Sequence, residues 1–177
     1  MINVTCVGFG GQGVLTMGLL LANVLMLAGK KLTWVPSYGS EMRGGTAACH
    51  LRIGDTPITN PFFKKIDVLI GMNDQSIDSY QKNVVRDGFL IRNTSMSQDI
   101  TLREDIHIIE IDANRIATEL DNIRGTNIVI LGAAIAATRL TDVETFAEGI
   151  DNYFGKKGIK NPANRACFLQ GASCIRG

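Results

Sequence analysis

The 177-residue sequence lacks the residue groupings by which most self-contained enzymes announce themselves. Its four cysteines, Cys6, Cys49, Cys167 and Cys174, form no Cys-x-x-Cys pair, and its two histidines, His50 and His107, stand far apart. That excludes the common zinc and iron–sulfur ligand runs and leaves the cysteines as small buried hydrophobes of a reducing cytoplasm. No nucleophile–histidine pair is evident, and no G-x-x-x-x-G-K-[ST] phosphate loop. Charge of one sign is not in excess: the net charge is +1, so there is no electrostatic case for nucleic acid or a membrane surface. No charged residue precedes Lys30. A secretion signal is nonetheless not expected, because there is no basic start and Phe9-Gly10-Gly11-Gln12-Gly13 breaks the apolar run. The run from Val14 to Leu27 is shorter than the ~20 residues that span a bilayer. Repeats, linkers and low-complexity segments are also missing, so one domain over residues 1–177 is expected.

What is present is a chain with 45% apolar and 20% charged residues, enough for a real core. Ile2 to Val7 predicts a buried strand that runs into glycines, and Val14 to Ala28 a helix closed by Gly29. Lys31 to Val35 predicts a strand stopped by Pro36, and Pro36 to Gly45 a loop. Further strands are expected over Thr46–Ile53, Asp67–Met72, Phe89–Arg92 and His107–Ile111. Further helices are expected over Gln75–Lys82 (capped by Asn73 or Asp74), Asn114–Leu120, Asn127–Thr138 and Asp142–Phe154 (capped by Thr141). A last helix opens at Asn161-Pro162. The alternation predicts an α/β fold, a mostly parallel Rossmann-like sheet with helices on both faces. The first helix shows almost no polar face, which asks for cover all round. A partner chain, and a homodimer when the chain is alone, would supply it; burial inside the chain's own fold is the alternative.

Two glycine clusters carry the candidate chemistry. Gly8-x-Gly10-Gly11-Gln12-Gly13, between a strand and a helix, fits the dinucleotide fingerprint and would offer free N–H groups and a positive helix end to an anion. A dinucleotide enzyme also needs a carboxylate at the end of the second strand. That region reads Thr33-Trp34-Val35-Pro36, with no acid before Glu41. A freestanding dinucleotide oxidoreductase is therefore disfavoured, and a scaffold that touches no ligand stays open. The second cluster is Pro36 to Gly45, with Ser37, Tyr38, Gly39, Glu41, Arg43 and Gly44 as candidates. It should rise from the same sheet edge as the first. Glu41 and Arg43 can pair with each other or reach outward separately. His50 reads as a packed strand residue, and Asp74 as a helix cap or a candidate base.

At these two clusters the sequence resembles the gamma subunit of 2-oxoacid:ferredoxin oxidoreductases, a unit that also occurs as one domain of fused pyruvate:ferredoxin oxidoreductases. The resemblance rests on Gly8-x-Gly10-Gly11-Gln12-Gly13 followed by Pro36-Ser37-Tyr38-Gly39-Ser40-Glu41-Met42-Arg43-Gly44-Gly45-Thr46-Ala47. It covers most of the chain and thins after about Arg165. It implies a multi-subunit enzyme that oxidatively decarboxylates a 2-oxoacid to an acyl-CoA and passes electrons to ferredoxin. The form of the second cluster favours 2-oxoglutarate or a branched-chain 2-oxoacid. Thiamine diphosphate and iron–sulfur clusters would sit in alpha, beta and possibly delta partner subunits, with no cofactor held by this chain alone. Coenzyme A would be the co-substrate. The gamma unit would serve assembly and contact coenzyme A or the thiamine site through Gly10, Gly11, Gln12 and Gly13 together with Ser37 to Gly44.

Overall fold

The computed structural model describes residues 1–38, 45–96 and 98–175. Of the expected site residues, Gly39, Glu41, Arg43 and Gly44 lie outside the described residues, as does the side chain of Tyr38. A six-stranded sheet forms the centre, built from β1 (Ile2–Phe9), β2 (Lys31–Tyr38), β3 (Thr46–Gly54), β4 (Ile66–Gly71), β5 (Val84–Asn93) and β6 (His107–Ile111). Their order across the sheet is β2-β3-β1-β4-β5-β6. β1, β4, β5 and β6 pair in parallel, while β3 runs antiparallel to both β1 and β2. Five strands thus point one way. The segment between Tyr38 and Thr46 is too short for the dozen or more residues of a crossover, so β2 and β3 must form an antiparallel pair.

The helices are α1 (Val14–Leu27), α2 (Asp74–Gln81), α3 (Ala113–Glu119), α4 (Thr126–Thr138), α5 (Val143–Gly155) and α6 (Pro162–Ser173). α2 closes the smaller core on one face, where Ile77 packs with Val7, Leu69 and Leu90. The other helices share the larger core on the opposite face. The α/β sheet with helices on both faces is the architecture the alternation predicted.

Three expectations need correction. β2 does not stop at Pro36 but runs through it to Tyr38, with Pro36 opposite Cys49. β2 is an edge strand, where a missing N–H costs the ladder little. α5 is capped not by Thr141 but by Asp142, whose side chain accepts from Thr145 N at 2.8 Å. The apolar helix α1 finds its cover inside its own chain: eight of its fourteen residues are buried, among them Met17, Leu20, Leu21 and Leu25. The sheet lies under it, and α5 lies over it at Gly149, where a Cβ would come within 2.5 Å of Val24. Among its large apolar residues, only Met26 and Leu27 at its end are exposed. The argument for a homodimer therefore loses its premise. Among the cysteines, Cys6, Cys49 and Cys167 are buried as expected, and Cys174 is exposed.

α4 is buried along most of its length and meets α6 backbone to backbone. A Cβ at Gly132 would collide with the Phe168 carbonyl, and one at Gly171 with the Val129 carbonyl. Neither obstacle is a side chain that can swing aside. Gly171→Ala is expected to destabilise the fold by about 3 kcal/mol, the upper end of ordinary overpacking costs. Denaturant unfolding with an unchanged midpoint would show that α6 can slide off α4 without loss.

Candidate functional site

β1 and β4 lie side by side and parallel, yet their onward connections diverge. β1 continues through α1 to β2 on one side, and β4 through α2 to β5 on the other. Such a switch point opens a crevice at the carboxyl ends of the two strands. The first glycine cluster sits there. Gln12 N donates to Phe9 O at 3.2 Å, closing a tight turn. Gly11 (φ 93°) and Gly13 (φ 73°) take the left-handed backbone that the turn needs. Gly13 caps α1 without any side-chain bond, so the first N–H groups of the helix are left for something else.

A cavity of about 600 Å³ opens over this loop, lined by Gly11, Gln12, Gly13 and Thr16 on one side and by Arg124, Thr126, Asn127 and Ile128 on the other. The second group is the start of α4, whose cap Gly125 also offers no side-chain bond. Asn161 and Asn164, at the start of α6, complete the wall. Three helix N-termini therefore converge on one space, each bringing a partial positive charge. Arg124 is exposed and forms no ion pair among the described residues. Asn127 ties the two sides together: its Nδ2 donates to Gly13 O at 3.0 Å, and its buried Oδ1 has no partner among the described residues. A second cavity of about 340 Å³ shares Phe154, Ile159, Asn161 and Asn164 with the first and adds Lys160. The arrangement suits an elongated ligand with an anionic end and polar groups that can donate to an amide oxygen.

Gly11, Gln12 and Gly13 are brought together as expected, and Gly10 N bonds Gly45 O at 3.3 Å, so the two clusters join at their bases. Ser37 does not line this cavity; it borders a different one, of about 370 Å³, with Val35, Pro36, His50, Pro61, Phe62 and Phe63. The sequence reading missed Arg124, Asn127 and Asn164. No motif marks them: they lie more than 100 positions from the glycine loop, and only the packing of α4 beside α1 and of α6 beside α4 delivers them. Asp74 is neither the cap of α2 nor a free base. Asn73 is the cap, accepting from Ser76 N at 2.9 Å, and Asp74 is fully enclosed in an ion pair with Arg92. His50 packs against Phe63 and Tyr80, and burial pushes its pKa down. Among the described residues no three His, Cys, Asp or Glu side chains come together as metal ligands, and no helix is long and apolar enough to cross a membrane.

Residues 3–174 match the family model for pyruvate ferredoxin/flavodoxin oxidoreductase. The chain belongs to this family. The common gamma subunit of the pyruvate/ketoisovalerate oxidoreductases of Pyrococcus furiosus is 32% identical over 169 residues, with 91% of each chain covered. Ketoisovalerate oxidoreductase subunit VorA of Methanothermobacter marburgensis is 35% identical over 177 residues, 99% of this chain. The chain spans about a third of the length of the VorA relatives it matches, 37% in this case. In fold it is similar to a solved 2-oxoglutarate:ferredoxin oxidoreductase from Magnetococcus marinus, with a TM-score of 0.87 at 20% identity, covering 99% of this chain and 31% of that one. That enzyme was solved with 2-oxoglutarate, coenzyme A and succinyl-CoA bound. The chain thus combines the fold of this family with a cavity at its switch point.

Proposed function

We propose that this chain is the gamma unit of a cytoplasmic 2-oxoacid:ferredoxin oxidoreductase. In this reading the complex converts 2-oxoglutarate or a branched-chain 2-oxoacid to its acyl-CoA, and the cavity over the glycine loop receives the phosphate-bearing end of coenzyme A. One observation carries the reading: in a member of this family, the glycine loop, the open N-terminus of α4 and the unpaired Arg124 face one cavity. Relatives named for ketoisovalerate support the branched-chain substrate, and relatives named for 2-oxoglutarate support the other. Thiamine diphosphate, the iron–sulfur clusters and the docking of ferredoxin belong to the partner subunits, and this chain supplies assembly surface and co-substrate contact. Its role toward coenzyme A is to bind and orient. Backbone N–H groups of Gly11, Gly13 and the α4 start donate to the phosphates, and Arg124 adds a charge at the mouth. Arg43 is the candidate for a second cation, and Tyr38, Gly39, Glu41 and Gly44 are further candidate contacts.

Arg124→Ala in the assembled complex is expected to raise the KM for coenzyme A about tenfold, as befits one exposed charge-assisted contact. The KM for the 2-oxoacid and the subunit composition should not change. Arg43→Ala, assayed in parallel, is expected to act in the same direction. If both variants keep the wild-type coenzyme A KM, the co-substrate has to bind elsewhere and the scaffold role remains.

A further inference from the structure

We infer that Gln12, the side chain at the centre of the glycine loop, is a positioning residue locked to Asn73, and that this clasp holds the loop in the form that receives the co-substrate. The inference rests on the coenzyme A reading above and goes beyond it, because it moves the oxygen end of Gln12 out of the ligand's reach. Gln12 Oε1 accepts two hydrogen bonds, from Phe9 N at 2.7 Å and from Asn73 Nδ2 at 2.8 Å. Both partners are donors, so the amide cannot be turned over: its NH₂ would then face two N–H groups. The other end of the side chain, Nε2, has only Met96 Sδ, at 3.8 Å, among the described residues.

Asn73 is committed in turn. It is buried, and its Oδ1 caps α2 while its Nδ2 holds Gln12. One residue therefore ties the glycine loop on the α1 side of the sheet to the helix on the other side. Gly8 leaves room for the clasp: a Cβ there would lie 2.8 Å from Gln12 Oε1, from Met72 Cβ and from Val14 Cγ2. Without the clasp the loop from Phe9 to Gly13 keeps two long backbone bonds, Gln12 N to Phe9 O at 3.2 Å and Gly10 N to Gly45 O at 3.3 Å, and two left-handed glycines, which is little to fix its shape.

The test uses three variants. Asn73→Asp keeps the α2 cap, since a carboxylate accepts from Ser76 N as well as an amide does, but it replaces the donor to Gln12 with an acceptor. Gln12→Ala removes the clasp from the loop side. Gln12→Glu keeps an acceptor for both donors and so keeps the clasp. Hydrogen exchange of residues 9–13 in the full chain is expected to speed up by roughly three- to tenfold in Asn73→Asp, the loss of one net hydrogen bond, by at least as much in Gln12→Ala, which loses both bonds to Oε1, and to stay slow in Gln12→Glu. In the assembled complex, Asn73→Asp should raise the coenzyme A KM with kcat held, a KM-against-kcat split that general destabilisation would not produce. Exchange unchanged in Asn73→Asp and Gln12→Ala overturns the clasp itself. Faster exchange with an unchanged coenzyme A KM overturns its positioning role, and the fault then lies with the co-substrate reading of the cavity.

Discussion

Gly13→Val is expected to lower stability by about 3 kcal/mol and to abolish productive coenzyme A binding together with it. Two costs add. The backbone at Gly13 is left-handed (φ 73°), a region that costs an ordinary residue about 1–2 kcal/mol and a β-branched one more. A Cβ at this position would also stand 2.5 Å from Asn127 Nδ2, the group that donates to Gly13 O. The side chain would push Asn127 away and part the start of α4 from the glycine loop, which are the two walls of the cavity. For a domain of this length the stability loss corresponds to roughly 6–12 °C in Tm. Gly10→Ala is the matched comparison. Among the described residues Gly10 has no neighbour within 4 Å of an added Cβ, and its φ is not left-handed, so that variant should unfold within a degree or so of wild type. Equal Tm and equal coenzyme A KM for Gly13→Val and wild type would mean that the junction between the loop and α4 has no energetic weight.

The contrast between those two glycines shows where a sequence stops being legible. The motif itself could be read: strand, glycines and helix fall where the pattern places them, and α1 begins at Val14 as expected. β6 spans His107 to Ile111, the limits its sequence predicts, because β-branched residues crowd it and the cap Asp112 ends it. α6 begins at Pro162 because Asn161-Pro162 is a local instruction, a capping side chain followed by a fixed φ. What failed depended on neighbours. Pro36 breaks a central strand but not an edge strand, and nothing local to Pro36 says that β2 is at the edge. α1 looked unpartnered because its cover comes from α5, more than 100 residues on, through a contact that Gly149 allows. The far wall of the cavity was invisible for the same reason. Arg124-Gly125-Thr126-Asn127 carries no capping side chain bond and no recognisable spacing; its chemistry is the bare end of a helix, placed by packing.

Asp74→Asn is expected to cost about 3 kcal/mol of stability and to leave the pH profile of the assembled enzyme unmoved. The side chain of Asp74 is wholly buried and that of Arg92 is 11% exposed. The guanidinium holds the carboxylate in a fork, Nε to Oδ1 at 2.7 Å and Nη2 to Oδ2 at 2.6 Å, and Gln98 N adds a third bond at 2.7 Å. Burial alone would push the Asp74 carboxyl up; the bonds from Arg92 and Gln98 and the nearby positive charge outweigh it and hold the group below the ordinary carboxylate range. The same pair, with Glu110, raises the pKa of Arg92. Removing one partner of a buried pair typically costs 3–5 kcal/mol, because the other charge is stranded. Here Glu110, bonded to Arg92 Nη1 at 2.6 Å, partly compensates, which places the loss at the low end. The sign with pH follows from the lowered value. The carboxylate's contribution is complete above its unfolded value of 3.8 and is lost as pH falls through the folded one, so the stability gap between wild type and Asp74→Asn should be wide near neutrality and shrink below about pH 4. A gap of the same size at about pH 3 as at neutrality would show that the variant's cost is packing rather than charge. An enzyme whose pH optimum moves in Asp74→Asn, with its fold intact, would return this carboxylate to the proton chemistry from which its pairing removes it.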